Sequence, residues 1–139
     1  MRYLLVFLTA LLFISCSSET PEDVPKRIDE LIANDQYTQA LSLLEDLNPD
    51  ETDADISRLR EKTHLNYGMY MMIRGPEEST MRDRMTSALE QLIATLNINP
   101  ENEQARSQIE KIMGIYNTMP DKSPGEEILA DLRELGFNY

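Results

Sequence analysis

Apolar residues recur at every third or fourth position through most of the chain after residue 23, in segments separated by short breaks rich in Asn, Asp, Pro and Gly. This spacing places the apolar side chains on one face of an α-helix. No run after residue 16 alternates β-branched with polar residues, as a half-buried strand would. The pattern therefore predicts an all-α domain.

The breaks divide this region into six predicted helices. Pro49, Gly75-Pro76 and Asn99-Pro100 each interrupt the helical spacing, because proline lacks the N–H that a helix interior needs. Pro100 also suits the first position of a new helix, where that N–H has no partner. The predicted helices cover residues 24–33, 37–47, 53–73, 80–97 and 100–117, followed by a last helix that ends at residue 134 or 135.

Three helix ends carry sequence signals of their own. Ser123-Pro124-Gly125-Glu126 predicts a capping box at the start of the last helix, with the proline just inside it. Thr52 with Asp55 predicts a weaker capping box for the third helix. At the other end of the last helix, Gly136 predicts a left-handed C-cap, after which Phe137 folds back.

Short breaks between consecutive amphipathic helices join them as antiparallel hairpins, and six helices form about three of these. Some residues follow a further pattern: the turn Asp35-Gln36-Tyr37 before Ala40-Leu41, Tyr67-Gly68 with Gly75 seven residues later, and the series Ala88, Leu92, Leu96, Ile98, Pro100, Asn102 and Ala105. These residues resemble the tetratricopeptide repeat (TPR), with about one complete repeat and two partial ones between residues 24 and 116. The resemblance implies a TPR-like array of stacked hairpins, an α-α superhelix with a concave groove.

The chain departs from the repeat pattern at several places. About eight extra residues, 76–83, lengthen the turn of the middle repeat, and Glu110 stands where a small residue is usual. The alternative interpretation is an irregular array of helical hairpins whose alanines match the repeat by chance.

The start of the chain has the layout of an export signal. Met1-Arg2 is followed by an apolar run to Ile14 in which Thr9 is the one polar residue, and the run is too short to cross a bilayer of about 30 Å as a helix. The segment Phe13-Ile14-Ser15-Cys16 resembles the lipobox of bacterial lipoproteins, although Phe13 stands where leucine is commonest. The resemblance implies that Cys16 is acylated, with chains such as palmitate, and becomes the N-terminus of the mature protein.

Two alternatives to lipidation stay open: an ordinary signal peptide cut after Ser15 or Ser17, and an uncleaved N-terminal anchor. Cys16 is the only cysteine, so it has no partner for an internal disulfide, and lipidation gives it a role. The predicted organisation is a signal peptide at residues 1–15, an acylated tether at 16–23 and a TPR-like domain at 24–139. Because residue 17 is not aspartate, the resemblance favours the outer membrane, facing the periplasm, with surface display a weaker alternative.

The composition is strongly acidic. The chain has 25 Asp and Glu against 13 Lys and Arg, for a net charge of −12. The negative electrostatic potential of such a protein repels nucleic acid and favours binding of basic peptides or divalent counter-ions. With no Trp and three Phe, the core must be built from Leu, Ile, Met, Tyr and Ala, an inventory that suits packed helices.

No residue pattern indicates catalysis, a metal or a cofactor. His64 is the only histidine and has no nucleophile or second ligand at a suitable spacing. Asp53, Asp55 and Ser57 begin like a calcium loop, but Arg58 occupies the place of its essential glycine. These acids instead suit a helix N-terminus, whose partial charge is positive. We therefore expect a protein that is not an enzyme.

The candidate binding surface is a second apolar face on the third predicted helix, formed by Leu65, Met69, Met72 and Ile73. Tyr67, Gly68 and Met71 already supply the face that meets the hairpin partner. In a TPR-like array the second face lines the groove, where methionines suit an adaptable peptide-binding surface. The favoured alternative is that the last helix covers this face, because so small a domain needs every apolar face it has.

Two functions are consistent with this sequence. The first is a membrane-anchored lipoprotein that acts as a protein–protein interaction or scaffold module and binds an envelope protein or peptide. The alternative is a helical lipoprotein that encloses a small apolar ligand between its hairpins, beside the methionines of the third helix. The sequence defines neither the partner nor the oligomeric state.

Overall fold

A computed structural model describes residues 23–47, 53–119 and 122–139 of the protein. These residues form six α-helices and no strand, which confirms the all-α class: α1 Val24–Ala33, α2 Tyr37–Leu47, α3 Ala54–Ile73, α4 Met81–Ile98, α5 Glu103–Asn117 and α6 Glu126–Glu134. The predicted signal peptide, Cys16 and all of the tether except Asp23 lie outside the described residues.

The start of α3 is set by an aspartate side chain. Asp53 is the N-cap, and its Oδ1 accepts hydrogen bonds from the backbone N–H groups of Asp55 at 2.8 Å and Ile56 at 3.3 Å. These bonds satisfy two of the N–H groups that have no partner inside the helix. The predicted cap residue Thr52 lies outside the described residues, and the observed cap is its neighbour.

The start of α4 has a reciprocal cap close to the predicted boundary. The hydroxyl of Thr80 accepts a hydrogen bond from the N–H of Asp83 at 3.2 Å and donates one to the Asp83 carboxylate at 2.7 Å. Both bonds fix the first turn, and the carboxylate adds a favourable interaction with the helix dipole.

The starts of α5 and α6 differ from the predictions. Helix α5 begins at Glu103 rather than Pro100, because the side chain of Asn102 accepts the N–H of Ala105 at 2.9 Å and caps the helix there. The predicted capping box of α6 is wrong. Its N-cap is Gly125, with no side-chain cap bond, because the Ser123 hydroxyl accepts the N–H of Gly125 at 3.2 Å inside the turn.

The end of α6 is as predicted. Gly136 has a φ of 86°, a left-handed conformation that glycine adopts without steric cost. The N–H of Phe137 then reaches back to the carbonyl of Leu132 at 2.9 Å, which closes the helix end and turns Phe137 onto the domain.

From α1 to α5, each helix packs against the next one in the chain, and α3 with α4 forms the most extensive pair. Gly68 permits this close approach, since an added Cβ would lie 3.0 Å from Leu92 Cγ and 3.3 Å from the Ala88 carbonyl oxygen. Two further pairs join helices that are not consecutive, α1 with α3 and α4 with α6.

The core has two parts, on either side of α3. The smaller cluster is formed by residues of α1 and α2, and partly buried side chains of α3 pack against it: Val24, Ile28, Leu31, Ala40, Leu44, Ile56 and Leu59. The larger cluster extends from α3 through α4 and α5 to α6, with Leu89, Leu92, Leu96, Ile109, Ile112 and Leu132 fully buried. Leu, Ile, Met, Tyr and Ala supply most of both clusters, as the composition predicts.

Candidate binding surfaces

The predicted binding residues form one partly exposed strip on α3, which we call the α3 strip: Leu65, Met69, Met72 and Ile73. Their spacing of four, seven and eight residues places them on one side of the helix. The first three are half-buried, and Leu65 and Met72 pack against the larger core. Ile73, at the end of the helix, is 68% exposed. Helix α6, the candidate cover of this face, packs against α4.

Beside the open end of the α3 strip, three tyrosines connect α3 to the turn between α1 and α2. The rings of Tyr37 and Tyr67 are stacked with their centroids 5.0 Å apart, and the Tyr70 ring lies 5.3 Å from that of Tyr37. Arg74 lies over the Tyr70 ring at 5.3 Å and donates to Asp35 at 2.8 Å. This cluster holds the end of α3 in place.

The surroundings of Tyr37 change the pKa of its hydroxyl group. Burial, and then the nearby Asp35 carboxylate, raise the pKa of Tyr37 to about 12. The hydroxyl donates to that carboxylate at 3.3 Å, which also favours the protonated form. Tyr37 is therefore a neutral packing residue at physiological pH.

A second polar connection joins α3 to the turn between α4 and α5. Oε1 of Glu61 accepts hydrogen bonds from the side-chain amides of Asn99 at 2.8 Å and Asn102 at 2.7 Å. Asn102 also caps α5, so one carboxylate fixes the start of that helix relative to α3. The sequence did not indicate this role of Glu61, because nothing near Glu61 in the chain points to its partners.

Two of the titratable groups considered in the sequence, His64 and Asp55, have structural contacts. His64 lies between α3 and α4 with its Nδ1 2.9 Å from Gln91 Oε1, and burial lowers its pKa. Asp55 forms an ion pair with Arg58 at 3.0 Å in the first turn of α3. Among the described residues, no group of three or more His, Cys, Asp or Glu side chains could hold a metal ion.

The structure also contains an apolar pocket that the sequence did not indicate. The pocket, here called the methionine pocket, lies between the start of α4 and the end of α5 and has a volume of about 240 Å³. Its lining residues are Met81, Arg82, Met85, Ile115, Tyr116, Met119 and Lys122. None of them belongs to the α3 strip. The only sequence signal was a pair of methionines, Met81 at the first position of α4 and Met119 two residues after the end of α5.

The depth of the methionine pocket follows from the burial of its residues. Met85 and Tyr116 are buried and form the floor, whereas Met81 is 52% exposed and Met119 is 37% exposed. The hydroxyl of Tyr116 lies 3.2 Å from that of Thr86, so its polar atom has a partner within the protein. The pocket therefore presents an apolar interior with two mobile methionine side chains at its mouth.

Comparisons with known proteins gave no match: no protein-family model, no curated protein and no solved structure matches this chain. The two surfaces described above are therefore the basis for a functional proposal. Within residues 23–47, 53–119 and 122–139, no helix combines the length and apolar character needed to cross a membrane.

Proposed function

We propose that this protein is a lipid-anchored interaction module of the bacterial cell envelope. In this proposal Cys16 carries the acyl chains, and the helical domain binds an envelope protein or peptide through the α3 strip. The proposal assigns the domain no catalytic role. The lipobox resemblance supports the anchor, and the geometry of α3 supports the binding surface.

The observation that carries the proposal is the exposure of the α3 strip at its C-terminal end. Ile73 is 68% exposed at the end of the strip, and Met69 and Met72 are half-buried beside it. Apolar side chains grouped at a surface are typical of sites that bind a partner, whereas scattered ones are not. Methionine side chains adapt to different partner shapes, so a peptide or a helix could pack there.

The helix packing supports a TPR-like arrangement for the first two hairpins. Helix α3 contacts both α1 and α2, as stacking one hairpin on the next requires, and it pairs closely with α4 through Gly68. The last hairpin departs from such a stack, since α6 packs mainly against α4. We therefore restrict the TPR-like proposal to a short array whose final helix closes the larger core.

The anchor determines where the module acts. One acyl chain holds a protein only marginally, and two or three hold it stably, because each buried methylene contributes about 0.8 kcal/mol. The lipobox-like segment therefore supports a stable attachment, and Ser17 favours the outer membrane with the domain facing the periplasm. Confinement near the membrane raises the effective concentration of the domain toward partners in the envelope.

Crosslinking in intact cells, followed by mass spectrometry, tests this function. We expect the double variant Met69→Asp/Met72→Asp to lose about tenfold or more of the crosslinked partner, because charges would replace its apolar contacts. The matched control is Gln104→Asp/Ser107→Asp, which adds the same charges at the same spacing on an exposed face of α5. This control should retain the partner.

Two outcomes would contradict the proposal. If both double variants retain the same crosslinked partner, the α3 strip does not bind it. If circular dichroism shows that only Met69→Asp/Met72→Asp loses its helical signal, the strip belongs to the core. The variant Cys16→Ala should release the protein from membranes without changing the α3 strip. It therefore tests the anchor independently of the binding surface.

A further inference from the structure

The methionine pocket has two cations beside its apolar interior, in a protein whose net charge is −12. Arg82 lies in the first turn of α4, and Lys122 follows the end of α5. Nη2 of Arg82 donates to the carbonyl oxygen of Ser123 at 3.1 Å, which places its guanidinium next to the backbone that carries Lys122. Both residues line the pocket, so each brings a positive charge to it.

Arg82 and Lys122 form no ion pair in the part of the chain that the structure describes. The acid next to Arg82, Asp83, accepts the hydroxyl of Thr80 at 2.7 Å as part of the α4 cap, and the acid next to Lys122, Asp121, lies outside the described residues. An anion at the edge of the pocket would interact favourably with both cations.

The size of the pocket limits what could occupy it. Its volume of about 240 Å³ exceeds the roughly 150 Å³ of an apolar cavity that binds benzene. It is smaller than the roughly 300–1,000 Å³ of sites that enclose drug-sized ligands. A single hydrocarbon chain of moderate length fits these limits, and the methionines Met81 and Met119 at the mouth can adjust around it.

We propose that the methionine pocket binds a medium-chain fatty acid. The hydrocarbon tail lies on Met85 and Tyr116 between the exposed methionines, and the carboxylate is held by Arg82 and Lys122. Arginine suits this role because its planar fork can donate two parallel hydrogen bonds to one carboxylate. This site shares no residue with the α3 strip and goes beyond the proposed function, so either can fail without the other.

Photolabelling of the full chain in its membrane tests the proposal. Membranes from cells that express the protein are irradiated with decanoic acid that carries a terminal diazirine, and mass spectrometry locates the labelled residues. We expect label at Met81, Met85, Ile115 and Met119, and we expect unlabelled decanoate to compete for it. Residues 65–73 serve as an internal reference, because the α3 strip is apolar but lies outside the pocket.

Two comparisons test the contribution of the cations. Decylamine with the same diazirine has an equal tail and the opposite charge, so it should label the pocket about tenfold less. The variant Arg82→Gln/Lys122→Gln should reduce labelling by decanoate to a similar extent. The matched control Lys26→Gln/Lys111→Gln removes two exposed cations elsewhere and should leave labelling unchanged.

Each other outcome overturns the proposal. Equal labelling by the acid and the amine would show general hydrophobic adsorption. Label spread over the helices, label confined to residues 65–73, or no label that decanoate displaces would show that the pocket is not a fatty-acid site. Arg82→Lys keeps the positive charge, so this variant should keep most of the label. Loss of the label from Arg82→Lys, in cells that contain the normal amount of protein, would also contradict the assignment.

Discussion

Individual residues contribute to the stability of this protein through close contacts, and the sequence indicates only some of these contacts. Gly68 is the clearest example, since α3 and α4 approach each other at this position. Replacing it with alanine should lower the free energy of unfolding by about 1–3 kcal/mol, because the Cβ would crowd Leu92 and the Ala88 carbonyl. Denaturant unfolding of the variant measures this loss.

A glycine elsewhere in the protein provides the control for that substitution. Gly114 lies in α5, and a Cβ added there would meet nothing within 4 Å. Gly114→Ala should therefore raise the free energy of unfolding by about 0.5–1 kcal/mol, the intrinsic helix preference of alanine over glycine. Equal effects of the two substitutions would show that α3 and α4 do not pack as described.

Tyr37 gives a prediction on pH dependence. Its pKa is raised from 10.0 to about 12, so the folded state resists ionisation of this side chain. The associated stability is fully present below the unfolded pKa of 10.0 and is lost as the pH rises toward about 12. Tyr37→Phe has no phenol to ionise, so its unfolding free energy should fall less than that of the wild type over this range. Parallel alkaline curves for the two proteins would contradict this.

At the scale of helices, the periodic spacing predicted α1 and α2 with their observed bounds, because glycine, proline and short polar turns separate regular apolar patterns. The start of α5 could not be predicted from the spacing alone. Pro100 is compatible with a first helical position, but Asn102 has a side chain that both caps the helix and bonds Glu61 on α3. A tertiary contact therefore supports the observed start.

The caps of α4 and α6 allow a direct comparison between an observed and a mispredicted cap. Thr80→Ala should lower the free energy of unfolding by about 1 kcal/mol, since it removes a hydroxyl that bonds the N–H of Asp83. Ser123→Ala should lower it by only a few tenths of a kcal/mol, because that hydroxyl caps no helix. Thermal or denaturant unfolding distinguishes the two, and a larger loss for Ser123→Ala would restore the predicted capping box.

At the scale of the whole molecule, the pocket was not predictable because it depends on where two distant helix ends meet. Met81 and Met119 are far apart in sequence, and only the packing of α4 against α5 places them around one cavity. The α3 strip was predictable, because its residues share one helix face and need no tertiary information. Its exposure at Ile73 required the structure.

The predicted anchor can be tested on the intact protein. A palmitate analogue supplied to growing cells should become attached to the wild-type protein and not to Cys16→Ala, because the thiol of Cys16 starts the modification in the proposed lipobox. Ser17→Asp should keep the label but move the protein to the inner membrane, which density-gradient fractionation would detect. An unlabelled wild-type protein would exclude the lipid anchor.

The central claim is that the open end of the α3 strip contacts a partner while the protein is anchored in the envelope. A photoreactive amino acid placed at position 73 in living cells measures this contact directly. We predict one discrete adduct from position 73, and none from position 104 on the exposed face of α5. No adduct from position 73, or the same adduct from both positions, would contradict the claim.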